Sequence, residues 1–257
     1  MENKKEASKT WNSAFDLLRI LSAFSVVVIH VTTKYILANE VGSVDFNIAN
    51  FINSVSRFGV PVFVMISGAI FLSPDKEIRI GRLWTKNILR LFAMFWIWSF
   101  AYYVFQSLYL WDYAFWKEGL VRTLVGCVYA SEHFWFIFMI IGLYALVPVL
   151  RTWIHNASKK EAFYFVGLFV VFHILRMTFV LLIDKDLIQE LLEMVEIVTL
   201  TGYIGYFVLG YILIRYGIPK WCKIVLYCMV PVGIAVNYHV SAIMSAKAGV
   251  YTPGIYD

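Results

Sequence analysis

The chain has 257 residues, 61% of them hydrophobic and 18% aromatic, with 15% charged and a mean hydropathy of +0.72. A soluble domain of this length carries more charge and hides far less apolar surface, which excludes an ordinary soluble fold. The net charge of +5 is concentrated in short connections between apolar runs, a pattern that orients a membrane protein rather than one that grips nucleic acid.

In chain order, residues 1–14 read as a polar cytoplasmic tail, without the small-residue cleavage site of a removable leader. Residues 15–257 read as one membrane domain. Seven apolar runs long enough to cross a bilayer follow the tail, at 15–37, 51–73, 88–110, 133–150, 161–183, 195–214 and 222–242. They predict an all-α, polytopic helix bundle, multi-pass in the cell membrane. The connection 38–50 is short and polar, and 74–87 is basic, with Lys76, Arg79, Arg82 and Lys86. Residues 111–132 predict a longer loop with an interfacial amphipathic turn. The next connections carry Arg151, His155, Lys159 and Lys160, then Asp184, Asp186, Glu190 and Glu193, then Arg215, Lys220 and Lys223. Basic residues thus gather on alternate sides together with Lys4, Lys5 and Lys9, which makes the N-terminus cytoplasmic. Pro61 and Pro148 predict kinks or breaks, and the glycines within spans predict close helix approach. The final Tyr251–Asp257 segment, with no closing element, reads as a truncation.

Three groups of residues carry candidate chemistry. The first span contains Asp16, Arg19 and His30, and ionisable side chains inside a bilayer are costly enough to mark a functional path. Arg19 and His30 are eleven residues apart, so they share one helix face about 16 Å from each other along the axis, with Asp16, Ser22, Ala23 and Val26 on or near that stripe. They are either a snorkelling Arg with a structural His, or a fixed cation below an imidazole whose pKa suits a general base. Arg82, Lys86 and Arg90 at the start of the third span either set topology or pair with the phosphates of a cytoplasmic donor. Glu132, His133 and Trp135 open the fourth span, as an interfacial belt or as a polar cavity lining. Cys127, Cys222 and Cys228 lack metal-ligand spacing, and no metal is expected. There is no phosphate-cradling Gly loop, zinc motif or nucleophile elbow.

In these residues the chain resembles the acyltransferase-3 family of integral membrane acyltransferases. Phe15-Asp16-Leu-Leu-Arg19, ten further residues and His30 are similar to the family's first-span signature. Ser56-Arg57-Phe-Gly-Val-Pro61-Val-Phe-Val-Met-Ile-Ser67-Gly68 is similar to its second span. His133-Phe-Trp135-Phe with Gly142-Leu-Tyr144-Ala-Leu-Val-Pro148 looks like its fourth span, and Tyr206-Phe-Val-Leu-Gly210-Tyr like a later one. The family's Arg-x-x-Arg pair at the third span is represented here by Lys86-Asn87-Ile-Leu-Arg90, in which only the second Arg is kept. The family typically has about ten spans, so the resemblance implies that the last ones are absent from this chain.

The resemblance implies an O-acyltransferase that moves an acyl group, usually acetyl from cytoplasmic acetyl-CoA, to a hydroxyl of an envelope carbohydrate or lipid-linked glycan. Acetyl-CoA would be a co-substrate, with no tightly bound cofactor. His30 would act as general base or as acyl carrier, Arg19 and Asp16 beside it, and Arg90, Lys86 and Arg82 would hold the donor. Two other readings fit intramembrane Arg and His residues: a flippase for an amphiphilic precursor, and a membrane recognition domain of a larger fusion protein.

Overall fold

The computed structural model describes residues 2–109, 119–129, 134–182 and 202–253, and every regular element among them is a helix. The elements are α1 (Glu2–Leu37), α2 (Val44–Ser56), α3 (Gly59–Phe71), α4 (Ile80–Tyr109), α5 (Leu120–Tyr129), α6 (Trp135–Asn156), α7 (Lys159–Leu182), α8 (Tyr203–Tyr216) and α9 (Lys220–Ala248). Only helices and closed barrels satisfy every backbone group inside lipid, so apolar runs of this length have little alternative to helix.

Among the described residues five stretches are long and apolar enough to span: Ser13–Leu37, Val44–Phe71, Ile80–Tyr109, Trp135–Asn156 and Lys220–Ala248. The 24-residue α7 lies where the fifth run was expected, and the shorter apolar α8 overlaps the end of the sixth, whose residues 195–201 lie outside the described residues. The second run differs from expectation, starting at Val44 and breaking into α2 and α3 at Arg57–Phe58. Pro61 explains the break, because it has no N–H to give to the carbonyl of Arg57 four residues back, and its ring is tolerated only in a first helical turn. The amphipathic α5 occupies part of the loop expected after the third span, and residues 110–118 of that loop lie outside the described residues. The polar N-terminal stretch continues α1 as helix from Glu2.

Two compact units form, residues 1–73 with 158–257, and residues 74–157. In the first unit, α3 and α8 touch backbone to backbone. A Cβ on Gly68 would overlap the carbonyl of Phe207, and one on Gly210 would overlap the carbonyl of Met65. Gly59 receives α1 in the same way, against Ser25 and the Ser22 carbonyl, and Gly205 receives the Phe169 ring of α7. These contacts are the small-residue packing that replaces hydrophobic attraction where lipid is as apolar as the side chains. Amides join α9 to α2: Asn237 Nδ2 donates to Ser54 Oγ at 3.0 Å, Asn50 Nδ2 to the Tyr238 carbonyl at 3.1 Å, and Tyr238 OH to Asn47 Oδ1 at 3.2 Å.

The second unit is built on aromatic rings. Phe95 of α4 is buried edge-on against Phe134 and Phe138, with centroids at 5.5 and 4.7 Å. α5 docks on α4 where Ser99 Oγ donates to the Cys127 carbonyl and the Tyr103 ring lies against Gly126. Burial pushes the Cys127 thiol up from its usual range.

Gly68→Ala and Gly210→Ala are each expected to lower the thermal midpoint of the purified protein and its folded yield. Gly142→Ala, where an added Cβ meets nothing within 4 Å, should leave both unchanged or slightly raised. Equal tolerance of all three changes would show that the close approach is not needed.

Candidate active site

α1 carries two distinct faces. Ser22, Ser25, Thr32 and Ile36 are buried and face its neighbours. At about 100° per residue, Arg19 and His30 lie within about 20° of each other and roughly 100° around the helix from that packed stripe. Ser22 lies between the Arg19–His30 stripe and the packed face, about 60° from Arg19, and is buried. Asp16 Oδ1 accepts from the guanidinium of Arg19 at 3.1 Å, one turn apart, and Arg19 is partly exposed. His30 is exposed, three turns further along the helix.

Next to His30 in the chain, a polar network ties α1 to α2. Asn53 is buried, and its Nδ2 donates to the Ile29 carbonyl at 3.2 Å, to Thr32 Oγ1 at 2.9 Å and to Thr33 Oγ1 at 3.1 Å. Its Oδ1 accepts from Arg57 Nε at 2.9 Å. One amide thus fixes the α1 turn that carries His30 and, at the same time, the half-buried Arg57 at the α2–α3 break. The residue types gave a signal for this network. Asn47, Asn50 and Asn53 recur every three positions in an apolar helix and lead to Arg57 four residues on.

Arg82, Lys86 and Arg90 are all exposed on α4, in the unit formed by residues 74–157. The Leu83–Ile88 segment between them is wound as a π-helix, with the Leu89 N–H bonded to the Trp84 carbonyl five residues back. Widened turns of this kind occur frequently at functional sites. Trp135 starts α6, exposed and edge-on to Phe136, whereas Glu132 and His133 lie outside the described residues. The structure therefore brings Asp16 to Arg19 and aligns Arg19 with His30 on one helix, and it places the three basic residues together on another.

The sequence matches the acyltransferase-3 family, described as an acyltransferase domain, over residues 12–236. The chain belongs to the acyltransferase-3 family. No curated protein and no solved structure matches it. Acyltransferase-3 membership makes the protein a membrane acyltransferase, of the kind that forms O-acyl products, with an acyl donor and a lipid surround. Within this acyltransferase-3 domain the matched region takes in all of the α1 stripe, the Asn53 network and the α4 basic residues.

Asn53→Leu removes a bridge with four polar partners and leaves them in an apolar setting. A loss of about 1–2 kcal/mol in folding stability is expected, measured by denaturant titration in detergent micelles. Asn50→Leu, which breaks the bond to the Tyr238 carbonyl, should cost less.

Proposed function

We propose that the protein transfers an acetyl group from acetyl-CoA, entering from the cytoplasmic side, to a hydroxyl of a cell-envelope carbohydrate or lipid-linked glycan. The observation that carries this reading is the shared stripe of Arg19 and His30 on an intramembrane helix of a chain in an acyltransferase family. Acetyl-CoA is a consumed co-substrate, and the cell membrane is the site of action.

Arg90, Lys86 and Arg82 match the phosphates at the nucleotide end of the donor, and charge-assisted contacts of that kind contribute about 1.5–3 kcal/mol each where water is excluded. His30 takes the proton of the acceptor hydroxyl. The oxygen then attacks the thioester carbonyl, the C–S bond breaks, and the thiolate leaves and is reprotonated. A covalent route is the alternative, in which an imidazole nitrogen of His30 receives the acetyl group first and the acceptor oxygen takes it second. Asp16 orients Arg19 through their 3.1 Å contact. Glu132, His133 and Trp135 are the proposed acceptor-side residues.

Acetyl transfer from radiolabelled acetyl-CoA into membranes holding the protein should depend on His30, with His30→Ala lowering the rate by about 10²–10⁴-fold at unchanged insertion. Arg90→Gln should raise the KM for acetyl-CoA by about tenfold or more with a smaller change in kcat. Wild-type transfer rates in both variants would remove these residues from the mechanism. Absence of label with the folded wild-type protein would favour translocation or recognition of the glycan instead.

A further inference from the structure

At one end of the unit formed by residues 1–73 and 158–257, a cavity of about 510 Å³ opens where α7 begins, α8 ends and α9 begins. Lys159, Phe163, Tyr216, Gly217, Ile218 and Pro219 line it. The Lys159 ammonium stands 5.7 Å from the Phe163 ring centre and 5.6 Å from that of Tyr216, whose centroids are 6.0 Å apart, so it is held above an aromatic wall. Gly217, at φ +64°, turns the chain sharply enough to bring the α9 start round to this wall.

The electrostatics of the rim favour an anion. The N-terminus of α7 is closed by its own residues: the Ser158 N–H donates to Glu161 Oε2 at 2.6 Å, and the Glu161 N–H donates to Ser158 Oγ at 3.3 Å. The acidic Glu161, two residues from Lys159, is thus engaged at its own helix end. α9 has no such closure, because its N-cap is Pro219, which makes no side-chain cap bond, and the first intrahelical donor is the Lys223 N–H to the Pro219 carbonyl at 3.2 Å. The N–H groups of Lys220, Trp221 and Cys222 precede it, at the positive end of the helix dipole. Lys160, Arg215, Lys220 and Lys223 add charge from the flanking positions. Tyr164 and Trp221, both exposed, are the aromatic types that settle at a membrane–water boundary.

We infer that this cavity binds the phosphate head of an anionic phospholipid, with Lys159 and the open first turn of α9 at the phosphate and Phe163, Tyr216 and Ile218 against the glycerol and upper acyl carbons. Basic pockets between helix ends on the cytoplasmic side suit such heads, and the loop charges assign this end of the bundle to that side. A lipid, and not a free phosphate, is the fitting occupant, because one wall is aromatic and apolar while the cations gather at the interface.

The test uses the full chain purified in neutral detergent, with thermal midpoint and native mass spectrometry as readouts. Dioleoylphosphatidylglycerol should raise the midpoint by several degrees and appear as a bound adduct, whereas dioleoylphosphatidylcholine should do neither. Lys159→Gln should remove at least half of the shift, and Lys34→Gln, at the far end of α1, should keep it. An equal shift from inorganic phosphate, displacement of the lipid by acetyl-CoA, or an undiminished shift in Lys159→Gln would each overturn the inference.

Discussion

Backbone contact between α3 and α8 is the constraint on which the described part of the first unit rests. Lipid chains compete with side chains on equal terms, so helices in a membrane gain little from being apolar and much from coming close. Gly68 and Gly210 each sit under a carbonyl of the facing helix, at Phe207 and Met65, and this reciprocal fit fixes both separation and register. α1 is then set on α3 through Gly59, and α7 on α8 through Gly205. The angular position of the Arg19–His30 stripe is therefore inherited from glycines that take no part in chemistry.

Amides do the complementary work. Hydrophobic faces in a bilayer leave helix rotation poorly specified, and a hydrogen bond with fixed donors and acceptors specifies it well. Asn53 locks the turn of α1 next to His30, and Asn50, Asn237 and Tyr238 lock α9 to α2. Catalysis by a base on a helix needs that base held to within a fraction of an ångström. Under the proposed mechanism, the network one residue away from His30 supplies that support.

Much of this was legible in the sequence. The all-α membrane class follows from composition, and the position of most spans from apolar runs of about twenty residues. The Asp16–Arg19 contact follows from a three-residue spacing on a helix. The break at Arg57–Phe58 was less legible, because hydropathy is continuous through it and only Pro61 and Gly59 interrupt the pattern. Spacing places Ser22 near the Arg19–His30 stripe but does not tell that a neighbouring helix buries it. The Asn53 network depends on a pairing between residues twenty and more positions apart, which periodicity within one helix does not contain.

The π-wound segment of α4 bears on where Lys86 stands relative to Arg90. In continuous α winding, Lys86 would lie about 40° around the helix from Arg90. Between Leu83 and Ile88 each turn takes up more residues, so the chain upstream is rotated backward and Lys86 swings toward the line of Arg90. The pitch of the backbone thereby brings the two cations closer to one line along the helix. Charge placement on this helix is a property of its winding as well as of its letters.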